Sequence, residues 1–295
     1  MADASNIASV ISTGGGGVVF EQNVGAAFLA LLLTKAFLPV HSNSIPTRVH
    51  FQAKRIDWNV DDLVVEGIDS NGVQHKLAAQ VKRTFTVSES DEDCVKTFVA
   101  AWADFNNAAL FNKSQDALLL ITHLGTNRLL GDFGALLTQA RASSNAVEFE
   151  VRRAGKGLLN QRSKADYETI KKILETSCGV AIAAADFWDF LRAFYVLSYD
   201  FSNSLAKDEA WIKSLLHLLR MDNSPLNSAS NTWNELSVLA SKAGPDGKSY
   251  ARDELPADML QRHREVQASS RARWGRYRGI RTSSFNASQT TVRRA

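Results

Sequence analysis

Cysteine is nearly missing from this chain, with only Cys94 and Cys178 among 295 residues. That number excludes a disulfide scaffold, and the lack of any CxxC or HxxxH spacing excludes a zinc site. Both cysteines read as inert small hydrophobes. Proline is scarce and marks turns: Pro39 and Pro46 bracket a loop, and Pro225 and Gly244-Pro245-Asp246-Gly247 mark two more. No apolar run is long. Ala26 to Leu33 is closed by Thr34 and Lys35, too short to span a bilayer. No Lys or Arg precedes it, so it is a poor secretory signal, and a cytoplasmic location is expected. The glycines Gly14 to Gly17 are not followed by Gly-Lys-Ser/Thr, which excludes a nucleotide-binding P-loop. They are expected to give flexibility or a close approach to DNA. No internal repeat is present.

A strong charge excess is also missing, because the net charge is only +3. It is unevenly spread, however. From Gln261 to Ala295 nine Arg face one acid, Glu265, whereas the other 260 residues carry 25 bases and 30 acids. A globally basic nucleic-acid coat is therefore excluded, and basic character is local. Hydrophobic content of 45% and charged content of 22% suit a globular chain with a sizeable core.

Periodicity gives the organisation. Phe20, Val24, Ala27, Phe28, Leu31 and Leu32 predict a helix over 18–37. Strands are predicted at 47–53, 62–67 and 75–82, the last two joined by the turn residues Asp69-Ser70-Asn71-Gly72. The acids from Glu89 to Asp93 open a helix with Val95, Phe98, Val99, Trp102 and Phe105 on one face, where they complement the helix dipole. A buried strand at 117–122 and a helix at 129–140 follow. The order α-β-β-β-α-β means a mixed α/β domain. Beyond Arg152 helices dominate, at 167–174, 187–194, 209–219 and 231–243, with one strand at 195–199. The expected division is a first domain over 1–150, a mostly helical accessory region over 151–262 and a basic tail or linker over 263–295. Trp102, Trp188, Trp211 and Trp233 read as core. Trp274, among Arg271, Arg273, Arg276 and Arg278, could stack on a base or pack against a partner, the alternative being an inert basic tail.

One constellation carries chemistry. Asp62 stands at the mouth of a strand, and Gln80-Val81-Lys82 follows eighteen residues later on the next strand. The period of two puts Gln80 and Lys82 on one face and Val81 on the other, and the hairpin brings that face beside Asp62. Glu21 lies at the edge of the first helix's apolar stripe, within reach of the sheet. Asp61 points away by alternation and reads as a turn or helper residue first and as a ligand second. Glu66 reads as a solvated or paired surface acid, and His50 and His75 as surface or core imidazoles.

Phe20-Glu21, Asp61-Asp62-Leu63-Val64-Val65 and Gln80-Val81-Lys82-Arg83-Thr84 together resemble the PD-(D/E)xK nuclease superfamily, in its Holliday-junction-resolvase and Mrr-like branch. With the glycines before Phe20-Glu21 they resemble, more narrowly, the effector nuclease domains of bacterial anti-phage systems. Such domains stand at the N-terminus of antiviral STAND ATPases (the AVAST class) and in CBASS effectors. The motifs span 14–84. The resemblance implies a restriction-endonuclease-like mixed-sheet core and a Mg²⁺- or Mn²⁺-dependent endonuclease acting on double-stranded DNA. It implies Asp62, Gln80 and Glu21 as metal ligands and Lys82 as the catalytic lysine. Val60 stands where the motif has proline, and Gln80 where it has an acid. DNA contacts are expected from Arg83, Thr84, Arg271, Arg273, Trp274, Arg276 and Arg278. Expected partners are copies of the chain or a downstream ATPase or sensor module. The alternative is a catalytically inactive DNA-binding or protein-interaction module of the same fold.

Overall fold

The computed structural model describes residues 15–155, 157–201, 206–221 and 227–265. The chain opens with α1 (Gly15–Thr34), β1 (Ser44–Phe51), a 3-10 turn (Ala53–Ile56), β2 (Leu63–Asp69), β3 (Gln74–Lys82), α2 (Glu92–Phe105) and β4 (Ala117–His123). A π-helical turn (Arg128–Phe133) leads into α3 (Gly134–Ala142), α4 (Ala146–Ala154), α5 (Gln161–Cys178), α6 (Ala184–Ala193) and β5 (Phe194–Tyr199). It continues with α7 (Lys207–Leu218), α8 (Asn227–Asp246), β6 (Ser249–Ala251) and α9 (Ala257–Arg262). The six strands form one mixed sheet in the order β5-β4-β3-β2-β1-β6. β3, β4 and β5 run parallel, and the β1–β2, β2–β3 and β1–β6 pairs are antiparallel. This is the mixed α/β class expected from the element order.

The sheet has a core on each face, as the period of two requires. Leu77, Ala79, Val81, Leu119 and Ile121 pack with α1, α7 and α8, while Ala78, Leu118 and Leu120 pack with α2 and α3 to α6. β4 is buried on both sides because it lies between parallel neighbours under two helical layers, hence its unbroken apolar run. Buried Cys94 belongs to the second core, and burial pushes its thiol up to about 11. Cys178 is exposed. Trp188 and Trp233 are core residues as expected, and Trp102 and Trp211 pack partly buried against the two cores.

Several expectations are corrected. Gly15 to Gly17 are not a flexible lead-in but the first turn of α1. By length and apolarity α1 could cross a membrane, yet it is mostly buried here, with Val24 and Ala26 to Leu33 inside the core. The face of α2 is rotated by about one residue from the predicted stripe. Cys94, Thr97, Phe98, Ala101, Asp104 and Phe105 are buried, and Val95, Val99 and Trp102 are partly covered. A helix packed on both the sheet and α5 has no single apolar face. The predicted helix at 129–140 starts as a π-helical turn, and α4, β6 and α9 were not foreseen. The expected domain boundary at 150 is not a boundary of the sheet, since β5 and β6 both join it and α8 packs on α1. The basic tail, with Arg271, Arg273, Trp274, Arg276 and Arg278, lies outside the described residues.

The loop between α1 and β1 closes over the start of β3. There the His41 ring lies 4.5 Å from that of His75. His75 Nδ1 sits 2.9 Å from the Gln115 carbonyl and Nε2 lies 3.6 Å from Asp69. Burial and the neighbouring His75 push His41 down to about 4. An unfolded histidine takes its proton near the ordinary value of 6.5, but folded His41 does so only near 4. Stability present above pH 6.5 is therefore lost as pH falls through that window. With a discount for the ring's partial exposure, the loss between pH 7 and pH 5 is about 1–2 kcal/mol. Urea midpoints at the two pH values are expected to converge in His41→Phe. An undiminished difference would assign the slope to another group.

Candidate active site

The β2–β3 hairpin sets the first half of the site. Leu63 pairs with Ala79, so Asp62, one residue further, faces Gln80. The turn that fixes this register is built by Asp69, whose carboxylate accepts from the N–H groups of Asn71 (2.8 Å) and Val73 (2.9 Å). Gly72 supplies the required positive φ of 82°. Gln80 Nε2 donates to Asp62 Oδ2 at 2.5 Å, and the Val81 N–H donates to the same oxygen at 2.5 Å.

The strand leading into Asp62 is held from two sides. The Ala53 and Gln52 N–H groups donate to the Asp61 and Asp62 carbonyls at 2.8 and 3.0 Å. Gln52 and Asp57 flank the 3-10 turn in the left-handed region, with φ of 51° and 67°, which aims the intervening Lys54 back at the loop. Lys54 Nζ reaches Asp61 Oδ2 at 2.7 Å. From the other side Asp104 of α2, fully buried, accepts from Asn59 N–H (2.8 and 3.1 Å), Asn59 Nδ2 (2.8 Å) and Val60 N–H (2.7 Å).

Glu21 arrives from α1, one residue beyond buried Phe20. Burial and the charge of Asp61 raise its carboxyl, while Lys82 pulls the other way. Asp62 is pushed up to about 7, by burial first and then by Glu21, against the Val81 N–H bond that lowers it. Burial would raise Asp61 too, but hydrogen bonds from Lys54 and Gln80 and the charge of Lys54 bring it below its ordinary value. Three carboxylates thus gather at one end of the sheet, and two of them are held toward the protonated form. Lys82 stands at the end of β3 and bonds Asp93 Oδ1 on the first turn of α2 at 3.1 Å.

The four residues singled out in the sequence do lie together. Asp61 was expected to point away, but it joins the cluster, because the chain has not yet entered β2 at that position. Asp93 was expected only as a helix-start acid, yet it holds Lys82. Asp104 was not singled out at all. Its signal was a charged residue inside the buried stripe of α2. The Arg83 side chain has no hydrogen bond or ion pair among the described residues, and Thr84 is exposed. Glu66 pairs with His50 at 3.3 Å, as a paired surface acid should.

Among the described residues no three His, Cys, Asp or Glu side chains form a group that would hold a metal unaided. The donor set still suits Mg²⁺, which takes one or two carboxylates and completes its shell with water and phosphate oxygens. Glu21 raises the cost of ionising Asp62, and Asp61 raises that of Glu21, a penalty that a cation beside these carboxylates would relieve. Gln80 has its amide N–H engaged by Asp62 and keeps Oε1 as an oxygen donor.

No family model matches this chain, and no curated protein matches it. Among solved structures it is similar to the Cap4 SAVED/CARF-domain containing receptor of Acinetobacter baumannii, solved with the cyclic trinucleotide 3′3′3′-cAAA. The TM-score is 0.43 and the identity 12%, over 88% of this chain and 46% of that one. The Moraxella osloensis Cap4 receptor gives 0.42 and 12%, over 90% of this chain and 55% of that one. The chain spans about half the length of these proteins. A likeness at this level establishes neither family nor activity.

Proposed function

We propose that this chain is a metal-dependent endonuclease of the PD-(D/E)xK type that hydrolyses phosphodiester bonds of double-stranded DNA, as an anti-phage effector switched on by assembly. The observation that carries this reading is the convergence of Asp62, Gln80, Lys82 and Glu21, from three separate elements, on one sheet end. Asp62 and Glu21 would hold Mg²⁺ or Mn²⁺, with Gln80 contributing Oε1. Such an ion, when bound, activates water and offsets charge on the phosphate. Water oxygen forms a bond to phosphorus as the bond to the leaving sugar oxygen breaks. The Lys82 ammonium orients the water and balances the charge that grows on the phosphoryl oxygens. Asp93 fixes that ammonium beside the sheet end, and Lys54 with Asp104 keeps Asp61 and Asp62 in register with β3. Each site cuts one strand, so a double-strand break is favoured when copies are tethered and the second site is at high effective concentration.

Plasmid cleavage tests the reading. Wild-type chain, free and fused to an inducible dimer, should nick and linearise plasmid in Mg²⁺ or Mn²⁺. Lys82→Ala should fall by about a hundredfold or more, the usual scale for losing one electrostatic stabiliser. Gln80→Glu should keep activity, because it restores the commoner ligand. Plasmid left intact by wild type under all these conditions would leave the catalytically inactive DNA-binding or interaction module as the better reading. A dead but folded Gln80→Glu would show that position 80 is no ligand.

A further inference from the structure

The cations around the site are not alike. Lys54 is tied to Asp61 and Lys82 to Asp93, at 2.7 and 3.1 Å. Arg83, the first residue past β3, is half-buried, but its side chain has no acid or hydrogen-bond partner among the described residues. Its backbone is fixed, since the His123 N–H at the end of β4 donates to the Arg83 carbonyl at 3.3 Å. Its guanidinium lies across the first turn of α1 at Gly16. A Cβ built at Gly16 would meet Nη1 well inside the 3.0 Å that real Cβ atoms essentially never cross, with Cζ at 3.1 Å. At Gly17, one residue on, a Cβ would meet nothing within 4 Å. The neighbouring glycines therefore differ in what they do, and only Gly16 is the seat of an arginine.

The geometry points to Arg83 as a substrate-binding residue for a DNA backbone phosphate beside the one that is cut, positioned by Gly16. This rests on the nuclease reading of the neighbouring carboxylates. A guanidinium presents several donors in a planar fork that suits phosphate oxygens, and an ion-paired one would first have to release its acid. Arg83 has none to release. The missing side chain at Gly16 lets the tip of the guanidinium reach the first turn of α1, at the same end of the sheet as Lys82. Part of the glycine run thus has a positional role, which neither flexibility nor a nucleotide loop would explain.

The test is DNA affinity in Ca²⁺ in place of Mg²⁺, so that bound duplex is not cut, measured by fluorescence anisotropy across a salt series. Arg83→Gln is expected to raise Kd about tenfold and to flatten the slope of log affinity against log salt by about 0.9, the loss of one phosphate contact. Gly16→Ala should reproduce most of both effects, because its methyl group displaces the guanidinium. Gly17→Ala should change Kd by less than about twofold. Both alanines favour the helix, so loss of fold cannot imitate the result. Gly16→Ala combined with Arg83→Gln should be no worse than Arg83→Gln alone, since the two act on one contact. If wild type binds and Gly16→Ala matches Gly17→Ala, the role of Gly16 is overturned. If wild type binds and Arg83→Gln leaves Kd and slope unchanged, the phosphate contact is overturned. Wild type that binds no duplex would instead overturn the nuclease reading, and this inference with it.

Discussion

Asp62→Asn is expected to abolish cleavage while making the metal-free protein more stable at pH 8. The Asp62 carboxyl loses its proton at about 7 in the folded chain, against an ordinary value of 3.8, because it is buried beside Glu21. Between those values the native state binds more protons than the unfolded state, so stability falls as pH rises through the window. Above it the full cost of the ionised carboxylate is present, about 2–4 kcal/mol with allowance for residual solvent screening. Asparagine removes the charge and keeps an oxygen for the Val81 N–H. In chelator at pH 8 the melting temperature should rise by roughly 5 °C, and at pH 4 the gain should vanish. Mg²⁺ should stabilise wild type and leave Asp62→Asn unmoved. Strain that is relieved by losing function is the signature of a site shaped for a cation. A variant less stable than wild type at pH 8 in chelator would mean that Asp62 is an ordinary structural acid.

The second large effect lies outside the cluster. Asp104→Ala is expected to cost about 2–3 kcal/mol in urea denaturation, because it leaves the buried Val60 N–H unpaired and releases the part-buried Asn59 N–H and Nδ2 bonds. Asp104→Asn keeps one accepting oxygen and should lose about half as much. Both variants should also cleave DNA more slowly at temperatures where they remain folded, since the loop they loosen runs straight into Asp61 and Asp62. A loss below about 1 kcal/mol for the alanine variant would mean that water or a shifted loop replaces the clamp.

Much of the site's frame was legible locally. The hairpin turn at Asp69 to Gly72 sets the register of two adjacent strands, and a period of two then places Asp62 opposite Gln80. That inference needs only residues close in the chain and side chains that alternate. The α-β-β-β-α-β order was legible for the same reason, because each element carries its own hydrophobic period. The helix faces were less so. α2 packs on two partners and hides Asp104 in its buried stripe, so the moment of its sequence points between them.

What the tertiary structure decided is everything that depends on distant segments meeting. Sequence spacing could propose Glu21 but not its burial beside Asp61 and Asp62, which arises because α1 lies across the sheet against α8. Nor could it tell that Asp93 would take Lys82, that Asp104 would clamp the loop before Asp61, or that β5 and β6 would complete the sheet from beyond residue 150. Local chemistry determines elements and register because those depend on backbone sterics and the alternation of side chains. Charge environment and partner choice depend on which desolvated groups the fold brings within a few ångströms, and only the packed chain decides that.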